Sequence, residues 1–448
     1  MRSLTQLADE LASHRTTSRA LVESCLDRIR APNGEGARVF LKVHADQALA
    51  AADYHDRLRK ASGSVSRYAG IPVSIKDLFD VSGDVTTAGS KLLRGESLAT
   101  RDATSVARLR AAGFIPIGRT NMTEFAFSGL GLNPHYDTPA NPHDRKARRI
   151  PGGSSSGAAV SVADEMAYAG LGTDTGGSCR IPAAMCGLVG FKPTARRVPL
   201  QGAYPLSSSL DSIGPIAQTV HCCAIVDAVL AAEASDALPS VSLAGLRFAV
   251  PQSFVLEDVD EVVGRAFAHT LSAISGAGAR VVEIALKELL ELPQINRKGG
   301  LSPAEAYAFH RNRADTLGSE YDPRVLSRIL RGKEQNAADY LNLLEARADF
   351  IRRVTGVTSE FDAVLMPTTP IVAPLISALK EDEAYWRANA LVLRNPSIIN
   401  FLDGCSISIP CQDSGDLPVG LMISGAHGTD RRLLSIAGEI EKLSRSRR

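Results

Sequence analysis

Charge of either sign is nearly absent as a net quantity: 50 Lys and Arg stand against 49 Asp and Glu in 448 residues, leaving +1. That balance argues against a nucleic-acid surface, an anionic-membrane surface or a highly charged substrate. No CxxC pair occurs among the seven cysteines (25, 179, 186, 222, 223, 405 and 411), which argues against a zinc ribbon or a redox dithiol. Buried thiols in a reducing cytoplasm are expected instead. No uninterrupted apolar run is long enough to cross a bilayer. The opening MRSLTQLADELASH breaks its apolar residues with Asp9, Glu10 and His14, so it lacks the apolar core of a secretory leader. A soluble, cytoplasmic protein is expected. There is also no Pro/Ser linker, no internal repeat and no HExxH pair. His135 and His143, with Asp137 and Asp144, stand in a Pro- and Asn-rich loop that makes a poor metal site.

What remains is an ordinary globular composition, 44% hydrophobic and 22% charged, with a clear alternation of elements. Residues 3–30 predict two amphipathic helices, with Ser3 and Gln6 as a capping box. Strands are predicted at 71–75 (ending on Lys76), 114–117, 168–172, 188–191, 246–250, 280–284, 363–366, 406–409 and 420–424. Helices are predicted at 105–112, 156–167, 182–186, 262–275, 337–354 and 431–443. This order implies an α/β fold: a single large α/β/α sandwich around a mixed β-sheet. The expected division is one domain over 1–448, with a helical arm at 1–65, core motifs at 66–230 and the rest of the sheet and pocket at 231–448. Residues 285–335 have weaker periodicity and read equally as an insertion over the site or a surface segment.

Two glycine-backed serines carry the chemical interest. Ser178 follows Gly176 and Gly177, after a predicted strand and before a Pro-started helix. Paired glycines let successive N–H groups turn toward one point, the arrangement of an oxyanion hole. Thr175, Gly176, Gly177 and Ser178 are the candidate donors. Ser154 lies in GGSSSG, between Pro151 and an Ala-rich helix; with no following Lys-Ser/Thr it is not a phosphate loop. Lys76 ends a buried strand. If desolvated, its amine loses its proton more readily and can serve as a base. Asp174 and Arg180 flank Ser178 and could brace its turn. The nine histidines lack a telling neighbourhood, and the formal GxSxG match at Ser155 has no strand before it.

Taken together, GIPVSIKDLFD (70–80), GRTNMTEFAFS (118–128), NPHD (141–144), PGGSSSGAAVSVA (151–163), LGTDTGGSCRIPAAMCGLVGFKPT (171–194), LDSIGPIA (210–217), LMPTTP (365–370) and LPVGLMISG (417–425) resemble the amidase signature family. The resemblance spans nearly the whole chain. It implies a Ser–Ser–Lys triad, with Ser178 as the acylated nucleophile, Ser154 after a cis peptide bond as the bridge, and Lys76 as the base. It implies a small-molecule amide substrate and no cofactor or metal. The pocket is expected between the 121–135 loop, residues near 202–206 and the later half, with Phe401 and Trp386. The N-terminal helices could support a homodimer. The rival reading is the glutamine-hydrolysing component of a tRNA-dependent amidotransferase, which would leave RNA binding to a partner. A scaffold without activity, or a membrane-anchored amide hydrolase, fits the intact triad and the N-terminus less well.

Overall fold

In the computed structural model, which describes residues 2–61, 63–234 and 238–445, one eleven-stranded mixed sheet runs through the molecule. Its strands are β1 (Phe40–Val43), β2 (Pro72–Lys76), β3 (Ile115–Thr120), β4 (Ala169–Asp174), β5 (Val189–Lys192), β6 (Ser212–Ala217), β7 (Arg247–Pro251), β8 (Arg280–Ile284), β9 (Ala363–Pro367), β10 (Cys405–Pro410) and β11 (Gly420–Gly425). Their spatial order is β1-β3-β2-β4-β6-β5-β10-β11-β9-β7-β8. β3, β2 and β4 run parallel to one another, as do β9, β7 and β8; the strands between pair antiparallel. Among the described residues no helix is long and apolar enough to cross a membrane.

The expected helices stand close to their predicted bounds. Helix Leu4–Ala12 begins with the Ser3–Gln6 capping box, and Leu4, Leu7, Ala8 and Leu11 form its buried face. Helix Ser18–Arg30 buries Leu21, Val22, Cys25, Leu26 and Ile29. The stretch 1–65 is not helical throughout, because Phe40–Val43 enters the sheet as edge strand β1 against β3. Helix Ser156–Ala163 is shorter than the pattern suggested. It ends at the C-cap Asp164, and Glu165 takes a left-handed φ of 54°.

The glycine-rich strand β4 lets this small-residue helix lie close to the sheet. A Cβ on Gly170 of β4 would meet Ala158 at 3.1 Å. Across the same contact, the hydroxyls of Ser74 and Ser161 are hydrogen-bonded at 2.8 Å. This packing fixes the N-terminal turn of the helix, and therefore Ser154, over the ends of β2 and β4.

Candidate active site

The site forms where parallel strands end, a place at which the chain must turn and side chains converge. β2 and β4 are in register, Ser74 opposite Gly170 and Ile75 opposite Leu171, so Lys76 ends β2 beside the last residues of β4. Lys76 is fully buried. Its Nζ lies 2.7 Å from Ser154 Oγ and 2.9 Å from Thr173 Oγ1. Burial pushes its pKa down from 10.5 to about 7, against the pull of Cys179, Asp174 and Asp211. A substantial fraction of neutral amine is therefore present at neutral pH, touching a hydroxyl that can both give and accept a proton.

Ser154 follows a cis Gly153–Ser154 peptide and is fully buried. Its carbonyl accepts from Thr123 N–H, and Gly153 N–H donates to the Gly129 carbonyl, so the loop around 123–131 clamps this turn. Gly172 shows how near the two serine turns come. A Cβ there would lie 3.0 Å from both Cys179 Sγ and Ser155 Oγ, the residues next after Ser178 and Ser154. Among the described residues, no hydrogen bond joins Ser154 Oγ to Ser178 Oγ.

The 174–180 turn is held by one carboxylate. Asp174 and Arg180 are both fully buried, with Arg180 Nη2 donating to Oδ1 at 2.8 Å and Nε to Oδ2 at 3.0 Å. The Gly177 and Cys179 N–H groups also donate to Asp174, at 2.9 and 3.1 Å, and Asn400 Nδ2 donates to it at 3.0 Å. Burial alone would raise this carboxyl's pKa; Arg180 and Asn400 overcome that and hold it well below the usual range. The bracing pair expected from the sequence is thus buried and two-pronged, not solvated.

One sequence expectation needs correction. Gly177 N–H belongs to the Asp174 carboxylate, so the expected set of four free amides is reduced. Among the described residues, the N–H groups of Thr175, Gly176 and Ser178 have no acceptor in the chain. Gly177 has φ +127°, and a Cβ there would strike Ile181 and Pro396 at 2.6 Å, so only glycine fits.

A cavity of about 200 Å³ opens beside this turn, with Thr173, Thr175, Asp211, Ala126 and residues 203–206 among its lining. A larger cavity, about 550 Å³, lies between β9, the 351–364 segment and the 424–433 segment, and neither Lys76, Ser154 nor Ser178 lines it. None of the three lines the smaller cavity either; what ties it to the site is Thr173, whose hydroxyl touches Lys76, and Thr175 of the 174–180 turn.

A family model described as Amidase matches residues 20–434. The chain is 35% identical to the 2-amino-5-chloromuconic acid deaminase of Comamonas testosteroni, over 98% of this chain and 96% of that protein. It is 33% identical to the A subunit of the glutamyl-tRNA(Gln) amidotransferase of Chromohalobacter salexigens, again over 98% and 96%. A crystal structure of an amidase superposes with TM-score 0.89 at 31% identity, covering 98% of this chain and 99% of the other.

The chain belongs to the Amidase family.

Amidase membership makes it a hydrolase of C–N amide bonds. Three of the residues around its site were not found from the sequence. Thr173 touches Lys76 but lies just past the predicted 168–172 strand and was given no role. Asp211, in LDSIGP, accepts from Thr175 Oγ1 at 2.5 Å and from the N–H groups of Leu206 and Ser207; burial pushes it up to about 6 despite those bonds. Asn400 reaches the site from helix Asp382–Phe401. An amide side chain within the apolar run IINF was the available signal. Two expected wall residues lie elsewhere in this amidase. Phe401 packs edge-on against Phe350, 5.6 Å between ring centres, and Trp386 packs against Tyr385 at 4.9 Å. Both are drawn into local aromatic contacts away from the 200 Å³ cavity. His135 lies 2.7 Å from Glu124, and His143 faces the Cys186 carbonyl; among the described residues no three His, Cys, Asp or Glu side chains group as metal ligands.

Proposed function

We propose that this amidase cleaves a small carboxamide to a carboxylate plus ammonia or an amine, through an acyl-enzyme on Ser178. The observation that carries the reading is the buried Lys76 amine at 2.7 Å from Ser154 Oγ. In its neutral form Lys76 draws a proton from Ser154, which in turn takes the proton of Ser178 as that hydroxyl attacks the amide carbon. The Thr175, Gly176 and Ser178 amides receive the oxyanion; each such donor is worth about 3–4 kcal/mol in the transition state. Asp174, Arg180 and Asn400 hold the turn in place. Ser154 then passes its proton to the leaving nitrogen and takes back the one held by Lys76, the C–N bond breaks, and the tetrahedral centre collapses to the ester on Ser178. Water attacks that ester by the same relay, releasing the carboxylate and returning the proton to Ser178.

The test is labelling by a fluorophosphonate, read by mass spectrometry, alongside ammonia release from simple amides. Labelling at Ser178 together with turnover by the purified chain supports the reading. A folded protein labelled at no serine and inert toward amides would remove it.

The likeness to the glutamyl-tRNA(Gln) amidotransferase component favours a second reading, glutamine hydrolysis within a complex. Activity confined to glutamine, and only with a partner protein present, would put that reading first. The N-terminal helices remain the proposed seat of a homodimer, and a cytoplasmic setting fits the buried cysteines, none of them in a disulfide among the described residues.

A further inference from the structure

The cavity beside the oxyanion turn carries information about the substrate that the triad does not. Its lining includes Thr175, whose N–H is one of the three unpartnered amides, and Thr173, whose hydroxyl touches Lys76. Both halves of the catalytic arrangement therefore front on the same space. The rest of the lining is mostly apolar, with Leu78, Ala126, Leu200, Ala203 and Leu206, and is completed by Tyr204, Pro205, Ser208 and Asp211. At about 200 Å³ it lies below the roughly 300–1,000 Å³ of pockets for drug-sized ligands. Among its described lining residues there is neither Lys nor Arg. The one residue there that carries a formal charge is the acid Asp211, and its oxygens already accept from Thr175, Leu206 and Ser207.

We infer that this cavity receives the acyl side of the substrate and selects a short, uncharged, apolar acyl group over acyl groups bearing a carboxylate. The inference rests on the amide-hydrolase reading above and narrows its substrate class. A carboxylate carried into this space finds no Lys or Arg among the lining residues and faces an acid, and an unpaired buried carboxylate is strongly disfavoured. Glutamine and the monoamides of dicarboxylic acids are both rejected on this ground. Aliphatic amides of a few carbons fill the apolar wall and leave their carbonyl oxygen at the amides of the turn.

The experiment compares kcat/KM of the purified full chain for acetamide, propionamide, butyramide, hexanamide, succinamate and glutamine. Lengthening the acyl chain from acetamide to butyramide is expected to raise kcat/KM by ~10-fold or more, since each buried methylene discriminates on that scale. Succinamate and glutamine are expected at least ~100-fold below butyramide. Ala203→Leu, which shrinks the cavity, moves the optimum to shorter chains; Leu200→Ala, which enlarges it, moves the optimum to longer ones. Ser208→Arg, at the exposed mouth, narrows the succinamate deficit by ~10-fold. Succinamate or glutamine matching butyramide in the wild type would overturn the inference. So would a chain-length profile unmoved in both Ala203→Leu and Leu200→Ala, or one that tracks the amine of N-alkyl amides instead of the acyl group. Fluorophosphonate labelling of Ser178 separates the two levels. A labelled enzyme with the wrong acyl profile removes only the cavity assignment, whereas an unlabelled, inert one removes the hydrolase reading and this inference with it.

Discussion

Lys76 and Lys192 make a natural pair for comparison. Each is the last residue of a strand, β2 and β5, and each is fully buried. In both, burial is the main cause of a lowered pKa, to about 7 for Lys76 and about 8 for Lys192. They differ in what Nζ touches. Lys76 meets two hydroxyls, Ser154 and Thr173. Lys192 donates to two backbone carbonyls, Pro193 at 2.8 Å and Gly404 at 2.7 Å. A carbonyl only accepts, so Lys192 is a fastener between β5 and the start of β10. A hydroxyl both donates and accepts, so Lys76 can take a proton and return it. Desolvation lowers the cost of neutrality at both sites, but only the hydroxyl partners of Lys76 suit the acid–base role proposed for it.

The comparison is open to attack by mutation. The largest effect is expected from Ser178→Ala, which removes the proposed nucleophile. Turnover should fall by at least ~10⁴-fold while circular dichroism and Tm stay close to wild type. Lys76→Met follows, with kcat/KM for amide hydrolysis lower by ~10²–10⁴-fold, the usual range for loss of a general base. The same substitution is not expected to lower Tm at pH 7, because it removes a buried amine that folding desolvates. The folded pKa of about 7 lies below the ordinary lysine value of 10.5. Between those values the unfolded chain binds more protons, so this group's contribution to stability rises with pH across that window. The rise in Tm from pH 7 to pH 9 should be smaller in Lys76→Met than in wild type. Thr173→Val, which keeps the shape and removes one hydroxyl, should cost up to ~10-fold in kcat/KM, the scale of one hydrogen bond. Lys192→Met marks the other side of the comparison. Activity per folded molecule should stay within a few-fold, with denaturant unfolding showing a loss of about 1–3 kcal/mol from two orphaned carbonyls. If Lys192→Met abolished turnover in a folded protein, the distinction between fastener and base would fail.

Much of this architecture was legible because local pattern and tertiary role agree. β8 falls on the predicted residues 280–284, and β2 ends on Lys76 as its apolar run implied. The glycine-backed serines were legible for the same reason, since few other sequences make such turns. Legibility failed where a side chain's value depends on distant partners. Helix Asp382–Phe401 contains Pro396 and several polar residues, which read locally as a break. Asn395, buried within it, donates to the carbonyls of Val255 and Pro367. β6 carries Pro215, and β1 is four residues long, so neither shows a strand's alternation. In the candidate site, Lys76, Ser154 and Ser178 could be named in advance, but not which amides remain free. That depends on Asp174 turning its carboxylate under Gly177 N–H, a choice fixed by Arg180 and by Asn400, more than two hundred residues further along the chain.

Lys76 acting as a neutral base is tested most directly by the pH dependence of Ser178 acylation. The rate of fluorophosphonate labelling, followed by intact-mass spectrometry from pH 5 to pH 9, should climb through an apparent pKa of about 7, where the buried amine loses its proton. Lys76→Met should lose that limb along with most of the rate. A rate independent of pH across this range, or the same limb persisting in Lys76→Met, would contradict a lysine base.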